Sequence, residues 1–488
     1  MDAGLGVVLA AVDAELHDLD ATGQAELVSR GEIKALELVE HAIERIERLN
    51  PQVNAVIHPL FDKALDAAAS GPPTGPFGGV PMVVKDLDGH TAGDRFHCGM
   101  RFLKELDWTE PDDSYSHAKL RDAGFVFVGK TNCPELGLIP TTEPEAYGPT
   151  HNPWKLGYSP GGSSGGTAAA VASRMVAAGT AGDGGGSIRV PASECGLVGL
   201  KPTRGRVSLG PDQGEAWHGF VVRGALTRSV RDCAGLLDAM SGAMPGDPYS
   251  APPFARPLVD EVGADPGSLK IGLRTSAFGN ATPTDPSCAA AAEGTAKLLE
   301  ELGHRVEEAS PAELDDQVLP AHIVAVIATW TRYELDFWSA KTGKRITEAD
   351  VEPGTWSFAE MAASITGPQY VNAIESIHLA ARRGATWWND FDLLLTPTIP
   401  EPPPPHGEWV PTEDNPLRGL MKSSAIVNLV APFNVTGQPA ISVPSTIHDG
   451  LPIGVQLVAA YGREDLLIRI ASQIETARPW AQETPVVY

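Results

Sequence analysis

Residues 159–193 read SPGGSSGGTAAAVASRMVAAGTAGDGGGSIRVPAS and place two glycine-rich turns, each carrying serine, on either side of an alanine-rich segment. Glycine is costly to order, so this density of glycine indicates that the backbone itself has a task in these turns. Because alanine is the strongest helix former, residues 167–179 are predicted to form a helix. Such a helix would bring the serine of one turn back to the neighbourhood of the other.

The second turn, GDGGGSIRVP at residues 182–191, has the composition of an anion-binding loop. Three consecutive glycines, Gly184, Gly185 and Gly186, allow successive backbone N–H groups to point into one concavity. Ser187 follows directly, so its hydroxyl would lie beside a preformed oxyanion hole. The alternative is a plain flexible turn, which the ordered pattern of the following SIRVPAS disfavours.

A serine nucleophile needs a base, and the sequence offers two kinds of candidate. His151 is the histidine nearest to the turns, but it stands alone in the loop-like segment THNPW, where a structural role is the more common one. Lys85 closes the apolar strand GVPMVVK, where a desolvated ammonium can lose its proton near neutral pH. A neutral lysine can serve as the base of a Ser-Lys hydrolase, although most lysines are solvated surface groups.

Several segments together carry a resemblance to a known family. They are GVPMVVKDL around Lys85, GGSSGGTAAAVA from Gly161, GDGGGSIRVPAS from Gly182 and CGLVGLKPTRGRVS from Cys195. PFNVTGQPAISVP and GLPIGVQLVAAYGRED add to them near the C-terminus. In this order and at this spacing the segments resemble the amidase signature family across residues 20–475.

The resemblance implies a catalytic triad and an oxyanion hole. Lys85 would be the base, Ser163 the serine that relays the proton after a cis peptide bond, and Ser187 the nucleophile. The backbone N–H groups of Gly184, Gly185, Gly186 and Ser187 would hold the oxyanion, with no cofactor and no metal. Asp183 and Arg189 match positions that would brace the loop.

Within that family the chain is similar to bacterial 6-aminohexanoate cyclic dimer hydrolases and to related urethanases. NPQVNAVIHPLFDKA, TTEPEAYG, NPWKLG and VAAYGREDLL carry this similarity. It implies that Leu138 and Ile139 line the substrate, as an apolar pair where the cyclic dimer enzymes have a polar one. The expected activity is hydrolysis of amides, and also of carbamates or nylon-type oligomers.

The order of apolar runs predicts an α/β fold, since strand-like segments such as GVPMVVK and FVFVGKTN alternate with helical patterns. The resemblance makes this an amidase-signature fold, a large mixed central sheet with helices on both faces. Residues 1–58 are predicted to form an N-terminal helical segment packed on a single catalytic domain of residues 59–488. A helical layer is predicted around residues 315–390. Its aromatic residues are interpreted as core, or as the wall of an apolar pocket: Trp330, Tyr333, Phe337, Trp338, Trp387 and Trp388.

The amino-acid composition restricts the kinds of binding partner that we expect. The net charge of −25 disfavours nucleic acid, because phosphate backbones repel an acidic protein. Five cysteines without a CxxC pair indicate free thiols in a reducing compartment, and scattered histidines without HExxH give no metal site. The apolar GVVLAAV near the N-terminus lacks the basic region of a signal peptide, and no run is long enough to span a membrane. We therefore expect a cytoplasmic enzyme for a small-molecule substrate, with a homodimer as one open oligomeric state.

Three other functions fit parts of the sequence. The first is the amide-transferring subunit of a tRNA-dependent amidotransferase, which would need a partner chain. The second is an α/β-hydrolase, because GSSGG also fits G-x-S-x-G with Ser164 as nucleophile. It would require an acid and one of the downstream histidines His322, His378, His406 or His448. The third is a non-catalytic binding protein, which the intact Lys85, Ser163 and Ser187 argue against.

Overall fold

A computed structural model of the chain describes residues 16–71, 75–316, 318–412 and 414–488. The apolar GVVLAAV segment, on which the expectation of a missing signal peptide depends, lies outside these residues. The same holds for the first part of the predicted N-terminal segment. The proposed division of the chain at residue 58 therefore stays a prediction.

Eleven strands in the described residues form one mixed sheet in the order β1-β3-β2-β4-β6-β5-β10-β11-β9-β7-β8. Strands β3, β2 and β4 run parallel, as do β9, β7 and β8, and antiparallel pairs join these two groups. The strands are β1 Val56–Pro59, β2 Pro81–Lys85, β3 Val126–Thr131, β4 Ala178–Asp183, β5 Val198–Lys201, β6 Val222–Thr227, β7 Lys270–Leu273, β8 Arg305–Glu308, β9 Leu393–Pro397, β10 Ala440–His448 and β11 Leu451–Ala459.

Fifteen α-helices in the described part of the chain surround the sheet. They are α1 Ala21–Ser29, α2 Ala35–Val53, α3 Phe61–Ala69, α4 Arg101–Glu105, α5 Tyr115–Asp122, α6 Gly165–Ala172, α7 Arg189–Cys195, α8 Val230–Met240, α9 Pro286–Glu301, α10 Leu319–Thr342, α11 Pro353–Met361, α12 Gly367–Gly384, α13 Arg418–Ile426, α14 Pro432–Thr436 and α15 Glu464–Ala477. Short 3-10 helices connect them at Glu135–Gly137, Leu258–Glu261, Phe278–Asn280, Ala312–Asp315, Glu348–Asp350, Ala362–Ser364, Ala385–Asn389 and Val427–Leu429.

The core lies on both faces of the sheet, as the alternation within strand β2 shows. Met82 and Val84 belong to a buried cluster on one face, whereas Val83 between them belongs to a cluster on the other. Because successive strand residues point to opposite faces, a fully apolar run such as MVV requires apolar partners on both. The prediction of a mixed sheet covered on both faces is confirmed.

The predicted helix over residues 167–179 is wrong in extent. Helix α6 ends at Ala172, and Arg174 adopts a left-handed conformation with φ of 56°. Strand β4 then begins at Ala178 and pairs with β2 on one side and β6 on the other. Alanine-rich sequence favours helix in isolation, but tertiary pairing at the centre of a sheet overrides that weak preference.

The helical layer predicted around residues 315–390 is present as α10, α11 and α12. The described part of the predicted N-terminal segment contains two helices, α1 and α2, and α2 packs its apolar residues Val39, Ile46 and Leu49 against the sheet. Strand β1, which spans residues 58 and 59, pairs with β3 in the same sheet.

Candidate active site

Lys85 and Ser163 meet in the centre of the molecule. Lys85 is the last residue of β2, and its Nζ atom donates a hydrogen bond of 2.8 Å to the Oγ atom of Ser163. The two residues are 1% and 2% exposed, so water is nearly excluded from the contact. The peptide bond between Gly162 and Ser163 is cis. The structure thus brings together two residues that the sequence analysis assigned to one proton relay.

Asp88 is a neighbour of Lys85 that the sequence analysis missed. Its carboxylate lies 2.5 Å from the Lys85 Nζ atom, three residues further along the chain. Burial favours the neutral form of a lysine, whereas an adjacent carboxylate favours the ammonium form. Gly182 leaves the space for this arrangement, since a Cβ atom there would lie 2.1–2.4 Å from the Asp88 carboxyl group. The sequence signal that could have predicted this contact is an acidic residue three positions after the lysine.

The glycine turn before Ser187 follows β4, and hydrogen bonds to the Asp183 carboxylate fix its conformation. The Asp183 carboxylate accepts hydrogen bonds from the N–H groups of Gly186 (2.7 Å) and Ile188 (3.2 Å). Within the described residues, the N–H groups of Gly184, Gly185 and Ser187 have no protein acceptor. Three of the four predicted oxyanion donors are therefore available, and the fourth, Gly186, is engaged in bracing the turn.

At two positions of this turn a residue with a side chain would clash with its neighbours, so glycine is required. Gly186 has φ of 128°, and a Cβ atom there would come within 2.6 Å of Val430. A Cβ atom at Gly184 would come within 3.0 Å of the Trp217 ring. Side chains at these positions would displace the turn, so the glycines keep the backbone exposed beside Ser187.

Asp183 belongs to a fully buried polar network. Arg189 donates two hydrogen bonds of 2.9 Å to its carboxylate, and Asn434 donates a third of 2.8 Å. Burial alone would raise the pKa of the Asp183 carboxyl group, but the Arg189 guanidinium holds that pKa well below its usual value. Arg189 also donates to the Gln456 side chain at 2.7 Å, which ties the turn to strand β11. The bracing role expected for Asp183 and Arg189 is consistent with this network.

Two cavities meet at Ser187, which is partly exposed. We define the inner cavity by polar and aromatic residues around the proton relay: Asp88, Phe96, Cys98, Ser163, Gln213, Arg223, Glu334, Phe337 and Trp338. We define the outer cleft by apolar residues on the other side of Ser187: Leu138, Ile139, Pro140, Phe220, Phe278, Ile323, Ile327, Phe358, Val427 and Val435. Gly137, Gly184 and Trp217 line both.

The outer cleft contains Leu138 and Ile139, the two residues expected to line the substrate. Some of the aromatic residues of the helical layer line the inner cavity, and the others do not. Phe337 and Trp338 line the inner cavity, while Trp330 donates from its ring nitrogen to the Tyr370 hydroxyl at 3.0 Å. Trp387 and Trp388 pack against a core cluster that includes Leu394 and Phe433, and neither lines one of the two cavities. Tyr333 is 55% exposed.

The alternative nucleophile Ser164 is not placed for catalysis. Its side chain is fully buried and its hydroxyl donates to the Gly182 carbonyl at 3.4 Å. His151 packs edge-on against His406, and neither lines a cavity that contains Ser187. The other proposed histidines, His322, His378 and His448, are absent from both cavities as well. The α/β-hydrolase interpretation is therefore wrong.

The described residues contain no cluster of three or more histidine, cysteine, aspartate or glutamate side chains able to hold a metal ion. The five cysteines are all buried as free thiols. Across the same described ranges, no helix is both long and apolar enough to cross a membrane.

Comparison with known proteins gives one family. The amidase family model matches residues 37–468 of the chain. The 6-aminohexanoate-cyclic-dimer hydrolase of Pseudomonas sp. (strain NK87) is 42% identical over 475 residues, covering 96% of each chain. The enzyme of the same description from Paenarthrobacter ureafaciens is 43% identical with the same coverage.

The solved structures agree with this result. A structure of 6-aminohexanoate cyclic dimer hydrolase superimposes with a TM-score of 0.93 at 42% sequence identity. The match covers 96% of this chain and 99% of that one. The residues that the family model matches, 37–468, include both cavities and every residue of the candidate site.

Proposed function

The chain belongs to the amidase signature family and is an amide-bond hydrolase, and from this premise we propose that it acts through a Ser187–Ser163–Lys85 triad. The observation that carries the proposal is the buried hydrogen bond of 2.8 Å between Lys85 and Ser163, in a cavity that Ser187 also lines. Ser163 and Ser187 line the same cavity, and the buried Lys85 contacts Ser163, so the three residues can act as relay, nucleophile and base.

In the first half of the reaction the Ser187 Oγ atom attacks the carbonyl carbon of the amide. Its proton passes to the Ser163 hydroxyl, whose own proton passes to the neutral Lys85 amine. The N–H groups of Gly184, Gly185 and Ser187 stabilise the oxyanion, each donor being worth about 3 kcal/mol in such sites. The relay then runs in reverse, protonates the amide nitrogen, and the C–N bond breaks to leave an ester on Ser187.

In the second half a water molecule takes the place of the departed amine. It gives its proton through Ser163 to Lys85 as it attacks the ester carbonyl. Collapse of the second tetrahedral intermediate returns that proton to the Ser187 oxygen and releases a carboxylic acid. The enzyme ends in its starting protonation state, so no cofactor is consumed.

The outer cleft supports a preference for apolar groups. Leu138 and Ile139 contribute to a surface that is apolar along most of its length. Apolar pockets discriminate weakly, roughly tenfold to a few hundredfold per methylene group, so we expect a broad substrate range. We propose carbamates and nylon-type oligomers within that range, because a carbamate presents the same planar carbonyl and the relatives named above cleave a cyclic dimer.

The amidotransferase alternative is not favoured. The relatives that match 96% of the chain at 42–43% identity are described as hydrolases. Such an enzyme works on its substrate without an ammonia-supplying partner, so the isolated chain is expected to be active.

Labelling of the nucleophile tests the proposal. Incubation of the purified chain with a slow aryl ester is expected to add one acyl group, located on Ser187 by peptide mass spectrometry. Ser187→Ala is expected to take up none and to lose nearly all hydrolysis of a hexanoyl anilide. Ser164→Ala serves as the matched control and keeps the adduct. An adduct on any residue other than Ser187 would refute the assignment.

A further inference from the structure

The two cavities are not equivalent with respect to the proton relay. Ser187 lines both, but Ser163 lines the inner cavity and not the outer cleft. In the proposed function Ser163 delivers the proton to the departing nitrogen. The amine half of the substrate therefore lies in the inner cavity, and the acyl half lies in the apolar outer cleft.

The inner cavity holds a buried arginine, Arg223, that makes no close ion pair with the described residues. Arg223 lies on β6, paired across the sheet with Gly182, and is 7% exposed. Its Nη1 atom makes two long hydrogen bonds, to the Ser116 hydroxyl at 3.3 Å and the Ser208 carbonyl at 3.4 Å. Its other two nitrogen atoms have no acceptor among the described residues, and none of their carboxylates lies within 4.0 Å.

Arg223 stays charged in this position. Burial lowers the pKa of its guanidinium to about 10, which is still far above neutral pH. Asp88, Asp212 and Asp247 attract the guanidinium only from beyond ion-pair distance, and Asp88, which lines the same cavity, contacts Lys85 at 2.5 Å instead. A buried charge with unused donors is costly unless a ligand supplies the matching group. The matching group for a planar guanidinium is a carboxylate, which can accept two parallel hydrogen bonds.

We propose that the inner cavity binds an amine half that carries a carboxylate, held by Arg223. The substrate class is then an N-acyl amino acid with an apolar acyl group in the outer cleft. Cleavage transfers the acyl group to Ser187 and, with the proton that Ser163 delivers to the nitrogen, releases the amino acid as its free amine; water then releases the apolar carboxylic acid from Ser187. This inference rests on the proposed function and adds to it the identity of the amine half.

Glu334, which also lines the inner cavity, is compatible with a bound carboxylate. Glu334 faces the cavity and has no hydrogen bond or ion pair among the described residues. Burial, with the nearby Asp88, raises its pKa to about 7, so a large fraction of Glu334 is uncharged at neutral pH. An uncharged carboxyl group does not repel a substrate carboxylate and can donate a hydrogen bond to it.

The test compares each carboxylate substrate with its neutral isostere. N-hexanoyl derivatives of glycine, β-alanine, 4-aminobutyrate and 6-aminohexanoate are assayed beside their primary carboxamides, and the ratio of the two kcat/KM values is measured. Because charge-assisted hydrogen bonds are strong when buried, at least one carboxylate is expected to exceed its carboxamide by roughly tenfold to a hundredfold. Arg223→Gln is expected to bring that ratio to about one, whereas the exposed Arg382→Gln keeps it.

The ratio is independent of the fraction of active enzyme, which makes it robust to partial misfolding. If Arg223→Gln does not fold, Arg223→Lys is used, and the loss of the bidentate fork is expected to lower the ratio several-fold. A wild-type ratio of one or below for all four amino acids would overturn the inference, as would a ratio that survives in Arg223→Gln. Hydrolysis of hexanoyl anilide in the same preparation separates this failure from failure of the proposed function.

Discussion

The Nζ atom of Lys85 lies 2.8 Å from the Oγ atom of Ser163, although 78 residues separate them in the chain. Lys85 is the last residue of β2, and Gly137 packs closely against Ser163, since a Cβ atom at Gly137 would lie 3.1 Å from the Ser163 Oγ atom. The hydrogen bond joins the proposed base and the proposed relay, both of which are almost fully buried. The predictions that follow concern this relay, the turn that holds Ser187, and the carboxyl groups around them.

Removal of the base is expected to abolish most of the turnover. Lys85→Ala leaves Ser163 without a proton acceptor, and general-base catalysis contributes about 10²- to 10⁴-fold. The measurement is kcat for the hydrolysis of hexanoyl anilide. The control variant is Lys119→Ala, because Lys119 donates to the Ser241 and Gly242 carbonyls and lines neither cavity. Activity of Lys85→Ala within a few-fold of the wild type would show that Lys85 is not the base.

Asp183→Ala is expected to destabilise the fold by about 3–5 kcal/mol, because it leaves the buried Arg189 without its partner. It also releases the N–H groups of Gly186 and Ile188, so activity falls with stability. Urea denaturation measures the free energy of unfolding. The exposed ion pair of Arg332 and Asp336 offers the matched control, since Asp336→Ala is expected to cost under about 1 kcal/mol. A change of similar size in both variants would contradict the bracing role.

Carbamates are expected to be cleaved as well as amides. The measurement is kcat/KM for an aryl carbamate and an anilide that share one aryl group, because both present the same carbonyl plane to Ser187. An aryl amine leaves readily, so the two values are expected to agree within roughly tenfold. If the anilide is hydrolysed and the carbamate is untouched, the urethanase part of the proposal fails and amide hydrolysis remains.

Stability is expected to fall as the pH rises from about 5 to 9. Burial, with the neighbouring Glu352, raises the pKa of Glu135 to about 8, above its usual 4.5. The folded state therefore binds a proton that the unfolded state has lost, and its stabilising effect disappears as pH rises through the folded pKa. The loss is on the order of 2–4 kcal/mol.

Glu135→Gln is expected to flatten this pH dependence while preserving the acceptor for the Glu352 N–H group. The exposed Glu348→Gln is the control and keeps the wild-type slope. Thermal unfolding across the pH range gives both slopes. Equal slopes in wild type and Glu135→Gln would show that Glu135 does not carry the effect.

Selectivity for carboxylate substrates is expected to fall as pH rises through about 7. Above that pH Glu334 ionises and repels a carboxylate held at Arg223. The other groups facing it are Asp88, which contacts Lys85 at 2.5 Å, and Cys98, whose pKa burial raises well above neutral. Glu334→Gln is expected to remove the pH dependence of the carboxylate-to-carboxamide ratio. Persistence of that dependence in Glu334→Gln would assign the titration to another group.

Local sequence was sufficient to predict the elements that carry two residues of the proposed triad, Lys85 and Ser187. The apolar run ending at Lys85 predicts a buried strand, and three glycines before Ser187 predict an open backbone turn. Both follow from preferences of a few adjacent residues, and both are present in the structure. The mixed sheet with helices on both faces was likewise accessible, through segments whose order and spacing resemble a known family.

The contents of the inner cavity were decided by the tertiary structure. Asp88, Arg223 and Glu334 come from the loop after β2, from β6 and from helix α10, and no local pattern marks them as neighbours. The engagement of the Gly186 N–H group by Asp183 and the early end of helix α6 have the same origin. Burial, pairing across a sheet and the lack of a close ion pair at Arg223 are properties of surroundings assembled from distant segments. The sequence alone therefore predicts where Ser187 attacks, whereas the packing around it decides which charges face the substrate.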